Sequence, residues 1–215
     1  MEEQNNLNET IDINNTEVGV KKKTKKEEEP FNLKKEIFSW IKIIIIAVVI
    51  AFAINNFIII NANVPSGSME TTIMTKDRMV GLRTAYWFKD PQRGEIVIFK
   101  NPDNEAETFV KRVIGMPGDK VVIKDAKIYI NDSAEPLTED YLPEEWTRGN
   151  GSDGIMEYNV PEGCYFMLGD NRNISHDARY WTNTYVKRDQ IIAKAEFVYW
   201  PWGHKGLLKT ADYAE

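Results

Sequence analysis

Twelve consecutive apolar residues, Ile43 to Ile54, constrain this chain more than any other feature. Asn55 and Asn56 interrupt the run, and Phe57 to Ile60 resume it. As a helix, residues 43–60 would extend about 27 Å at about 1.5 Å per residue, close to the roughly 30 Å hydrocarbon core of a bilayer. A helix apolar on all faces needs protein or lipid all round it. The two readings are therefore a buried core helix and a membrane span. Two adjacent asparagines are costly in lipid, while Lys42 can snorkel to the headgroups. The flanking charge favours the span. Seven lysines lie between residues 21 and 35, whereas residues 61–75 carry neither Lys nor Arg. That bias keeps the N-terminus cytoplasmic and sends the C-terminal part across the membrane. A cleaved signal peptide is the rival, but the leader is long, and Val64 and Pro65 make a poor small-residue cleavage site. The expected organisation is a disordered cytoplasmic tail with a basic topogenic segment (1–36), a single-pass transmembrane anchor (37–61) and an extracytoplasmic domain (62–215).

The 215-residue chain carries a formal charge of −6. Its residues 62–215 hold 24 acids and 19 bases. An acidic domain repels phosphate backbones, so nucleic acid is not an expected partner. Cys164 is the single cysteine, which excludes an intrachain disulfide. It sits in the run Cys-Tyr-Phe-Met-Leu and reads as a small buried hydrophobe. His176 and His204 are the only histidines, too few with one cysteine for a structural zinc site. Neither a metal nor a cofactor is expected.

Beyond residue 62 the pattern turns to short runs rich in Val, Ile and aromatics: Met79–Leu82, Glu95–Lys100, Thr108–Ile114, Lys120–Ile123, Lys127–Ile130, Cys164–Leu168 and Ile191–Trp200. Turn signals such as Asp90-Pro91 and Met116-Pro117-Gly118-Asp119 separate them. This predicts a mostly β domain, an antiparallel sheet or partly open barrel, after one N-terminal transmembrane helix. Residues 132–160 are acidic and irregular, and read as an excursion from the sheet.

Three segments could carry chemistry. Val64-Pro65-Ser66-Gly67-Ser68-Met69 follows the apolar run, with Ser68 eight residues past Ile60. It reads either as an ordinary turn or as a nucleophile near the outer membrane face. In the run Thr108–Ile114, alternation puts Phe109, Lys111 and Val113 on one face. Lys111 is then either a lysine snorkelling off a strand edge or an ammonium held among apolar neighbours with a lowered pKa, fit to take a proton from a serine. The polar run Gly169 to Trp181 is either a loop stitched by Asp and Arg or one that closes a site from behind.

Together these segments resemble the type I signal peptidases, the bacterial serine-lysine proteases that remove signal peptides from exported proteins. Pro65 to Met69 resembles the family's nucleophile box, and Arg93 to Phe99 a core strand with Glu95 where Asp is commoner. Val110 to Asp119 resembles the base-bearing box, and Gly169 to Arg179 the last signature loop. The resemblance implies that Ser68 is the nucleophile and Lys111 the general base. It implies an oxyanion hole from the Ser66 hydroxyl and the Ser68 N–H. Ser175 would orient Lys111 by a hydrogen bond, and Gly169, Asp177 and Arg179 would support the loop. Val64, Met69, Phe109 and Val110 would line shallow pockets for small side chains of an extended substrate. The implied partners are signal peptides of exported precursors and the lipid bilayer. The chain departs from the family at Thr71-Thr72-Ile73, where Pro-Thr-Leu is usual, and at Thr182, where Gly often follows Tyr-Trp.

Trp87, Phe88, Trp200 and Trp202 read either as an aromatic surface for headgroups or as packing residues. Other functions stay open: a Ser-His-Asp hydrolase using His176 and Asp177, a self-cleaving repressor-type protease, and a non-enzymatic membrane-tethered binding module.

Overall fold

The computed structural model describes residues 33–213. The expected disordered tail and most of the basic segment therefore lie outside the described residues. Two compact units separate at residues 43 and 44. A helix, α1, runs Leu33–Ala53, and a π-helical turn follows at Ile54–Ile58. Leu33–Ile58 is the one stretch among the described residues long and apolar enough to cross a membrane, with a mean hydropathy of 2.8 in its most apolar part. The asparagines fall in the π-turn, where Asn56 Nδ2 donates to the Phe52 carbonyl at 2.8 Å. One of the two amides thus satisfies itself on its own helix, which lowers its cost in an apolar setting.

The chain leaves the π-turn directly into β1 (Ile59–Asn63), so the last apolar residues are strand and not helix. Strands β2 (Arg78–Leu82), β3 (Ile96–Asn101), β4 (Asn104–Gly115), β8 (Cys164–Leu168), β9 (Val186–Lys187), β10 (Ile191–Trp200) and β11 (Gly206–Leu207) join β1 in one sheet. Its order is β1-β2-β10-β3-β4-β8-β9, with β11 pairing β10. A second sheet of three strands is built from β5 (Lys120–Lys124), β6 (Lys127–Ile130) and β7 (Met156–Asn159), with β5 in the middle. All pairings are antiparallel, and the sheets do not close into a barrel.

β3 explains why there are two cores. Four consecutive residues, Ile96 to Phe99, are buried because the strand is covered on both faces. Val97 and Phe99 face a core with Val113, Phe166, Leu168 and residues of the second sheet. Ile96 and Ile98 face a smaller core with Val64, Met69, Ile73 and Met79. Each such side chain contributes about 1.5–3 kcal/mol on burial, so Met69 and Ile73 act as anchors for the chain that carries Ser68. That segment, between β1 and β2, is closed by Val64 N–H donating to the Asp77 carbonyl (3.0 Å) and Lys76 N–H donating to the Val64 carbonyl (2.7 Å).

Most of residues 133–155 is irregular, and Trp146 plugs them into the larger core. Cys164 is half-buried at that core's edge, less enclosed than its run implied. Its neighbours Tyr165 to Leu168 occupy the interior, while Cys164 pairs with Lys187 of the short strand β9. Trp87, Phe88, Trp200 and Trp202 are exposed, Phe88 at 96%, so packing does not account for them.

Candidate active site

β4 and the connection after β1 bring the two central residues together. Lys111 lies opposite Val97 in the β3–β4 ladder, and its ammonium is 5.6 Å from the centre of the Phe109 ring. The side chain is only 4% exposed. Its Nζ donates a hydrogen bond to Ser68 Oγ at 2.6 Å. Burial lowers the Lys111 pKa to about 8; Asp177 and Asp170 pull it back up and Arg179 pushes it down. An amine with that pKa is half neutral near pH 8, and a neutral amine accepts a hydroxyl proton.

Ser68 is buried, yet its Oγ faces a cleft of about 490 Å³. Val64, Ser66, Met69, Phe109 and Val110 line the same cleft, as do Ile174 and His176. Ser66 is exposed, and its Oγ lies 3.4 Å from Ser68 Oγ. Among the described residues nothing accepts the Ser68 backbone N–H. A larger cavity of about 620 Å³ reaches Arg112, Leu208 and Lys209 but contains neither Ser68 nor Lys111.

Behind Ser68 stands the loop after β8. The Ser68 carbonyl accepts Asn171 N–H at 3.1 Å. Gly169 packs so closely on the Ser68 carbonyl and Ser175 Oγ that a Cβ there would collide with both. Asp177 is fully buried and accepts from Gly169 N–H (3.1 Å) and from Arg179 Nε (2.8 Å) and Nη2 (2.9 Å). Arg179 also donates to the carbonyls of Arg172 and Arg148, so loop and excursion are tied at one guanidinium. Ser175 departs from expectation. Its Oγ is buried and finds no partner among the described residues, while Lys111 Nζ bonds to Ser68.

His176 is exposed and stacks on Tyr180 with ring centres 6.0 Å apart. It makes no hydrogen bond to Ser68 among the described residues, and the Asp177 carboxylate is taken up by Arg179 and Gly169. Among the described residues no Ser-His-Asp relay is assembled.

Three residues of the site, Arg112, Asp170 and Thr72, were not singled out from the sequence as functional. Arg112 is buried and forms a bidentate pair with Asp170, Nε to Oδ1 at 2.8 Å and Nη2 to Oδ2 at 2.6 Å. Thr72 Oγ1 donates to the same carboxylate at 2.5 Å. This joins β4, the Ser68 segment and the loop after β8 in a single network. The signal was present: an arginine flanked on its own face by Val110 and Ile114 demands a buried acid.

The model of the family described as "Signal peptidase, peptidase S26" matches residues 37–200. A probable signal peptidase I-2 of Synechocystis sp. is 35% identical over 192 residues, covering 86% of this chain and 81% of its own. A signal peptidase I of Bacillus amyloliquefaciens is 36% identical over 183 residues, 83% of this chain and 96% of its own. Signal peptidase I S of Bacillus subtilis is 35% identical over 182 residues, 82% and 96% of the two chains. With so much of both sequences matched around one family pattern, the chain belongs to the S26 signal peptidase family.

Proposed function

We infer that this chain is a membrane-bound serine endopeptidase that removes signal peptides from exported precursors through a Ser68–Lys111 dyad. The observation that carries this reading is the 2.6 Å contact between a buried lysine and a serine at the wall of a cleft. Neutral Lys111 takes the Ser68 proton as Oγ attacks the carbonyl at the end of the signal peptide. The Ser66 hydroxyl and the Ser68 N–H hold the oxyanion; such donors are worth roughly 3–4 kcal/mol each in other enzymes. The amine of the mature protein leaves with the proton from Lys111. Water then attacks the ester with Lys111 again as base. Gly169, Ser175, Asp177 and Arg179 support the wall behind Ser68. Val64, Met69, Phe109 and Val110 receive small side chains before the cut, consistent with their place along the cleft.

Leu33–Ile58 anchors the chain, with the N-terminus cytoplasmic and the catalytic domain outside, and the exposed Trp87, Phe88, Trp200 and Trp202 meet headgroups. Anchoring places enzyme and precursor in the same two-dimensional phase. The test is incubation of the detergent-solubilised protein with a precursor bearing an Ala-X-Ala site. Wild type releases the mature protein, and Ser68→Ala does not. Absence of cleavage by folded wild type would favour a binding module.

The pH dependence discriminates further. Lys111 must be neutral to act, so kcat/KM rises with pH and levels off above about 8. His176→Ala leaves that profile in place. A rise centred near pH 6.5 and lost in His176→Ala would identify a histidine base instead.

A further inference from the structure

We propose that Glu107 selects precursors with a basic residue about five positions before the cut bond; this rests on the reading above. Glu107, Phe109 and Lys111 alternate along β4 and line the same cleft, so their side chains share one face. Lys111 meets Ser68, and Phe109 borders the space assigned to small side chains. Glu107 is four residues from Lys111, about 13 Å along a strand. A substrate lying extended in the cleft has the same rise. With its carbonyl at Ser68 and its preceding residues alongside Phe109 and Val110, its fifth residue before the cut comes level with Glu107.

Among the described residues the carboxylate there is held by neutral partners alone. Asn104 Nδ2 donates to Oε1 at 3.0 Å and Asn101 Nδ2 to Oε2 at 3.3 Å, both neutral partners. Its neighbours on the same hairpin are otherwise engaged. Asp103 accepts the N–H groups of Thr182 and Asn183, and Glu105 takes Gln190 and Lys100. Among the described residues that line the cleft, Glu107 is the sole acid. A lysine or arginine of the substrate beside it gains an attractive contact, and an acid is repelled.

Three precursors that differ only in Lys, Gln or Glu at the fifth position test this, with the full-length protein in neutral detergent micelles. The ratio of kcat/KM for Lys over Glu is read within each enzyme, so changes in overall rate do not enter. Wild type should favour Lys about two- to fivefold, the range of an exposed ion pair. Glu107→Gln should bring the ratio to about one and Glu107→Lys should invert it, and both preferences should shrink as salt is raised. The same ratio in all three enzymes would overturn the proposal while leaving the peptidase reading intact. Failure of folded wild type to cut any of the three would overturn the peptidase reading, and this proposal with it.

Discussion

Replacing Lys111 with Met is expected to abolish precursor cleavage, by about 10⁴-fold or more, while making the protein more stable. The loss follows from removal of the amine that contacts Ser68 Oγ, the proposed base. The gain follows from linkage. In the unfolded chain Lys111 keeps its proton up to about 10.5, whereas in the folded chain it gives it up at about 8. Below pH 8 the folded state therefore carries a charge that burial disfavours, at a cost of roughly 3 kcal/mol. Methionine has similar length and no charge to desolvate. After allowing about 1 kcal/mol for the lost hydrogen bond to Ser68, the variant should be more stable at pH 7 by about 2 kcal/mol. The sign also fixes the pH trend. Between pH 8 and 10.5 the unfolded state binds more protons, so Lys111 makes wild-type stability rise with pH there. The variant lacks that contribution. Urea unfolding at pH 7 and pH 10 checks both: a wild-type advantage at pH 7 would mean that Lys111 is not held as a desolvated amine.

Asp177→Asn should destabilise the domain by about 3–5 kcal/mol, because it leaves the buried Arg179 guanidinium without its counter-charge. For a chain of this size that corresponds to a fall in Tm of about 10 °C. A purely structural role would end there. Asp177 also raises the Lys111 pKa through its charge, so the variant's rate–pH profile should shift to lower pH in assays run well below its Tm. An unshifted profile in a folded variant would show that Asp177 acts on packing alone.

The strands were legible wherever alternation or a short β-branched run lay between turn signals; Lys127–Ile130, Cys164–Leu168 and Ile191–Trp200 coincide with observed strands. β1 was not, because Ile59 and Ile60 continue an apolar run and only their pairing with Leu82 and Gly81 makes them strand. β7 was hidden in the polar excursion, since Met156 and Tyr158 are half-buried and short of neighbours in sequence. At the site, Ser68 and Lys111 were ambiguous singly; a resemblance joined them, and their contact across 43 positions appears only in three dimensions. The Arg112–Asp170–Thr72 network belongs to the same class, with each partner on a different element. Ser175 shows the reverse limit: the sequence pattern names a residue, but the geometry decides what its hydroxyl touches.

Acylation of Ser68 is the step that separates a serine peptidase from every alternative. Wild-type enzyme mixed with precursor and quenched in acid within the first turnover can be digested and mapped by mass spectrometry. The digest should contain a peptide with Ser68 that carries the mass of the signal-peptide acyl group, absent from Ser68→Ala and from Lys111→Met. An adduct on any other residue, or cleavage by Ser68→Ala at the wild-type rate, would rule out Ser68 as the nucleophile.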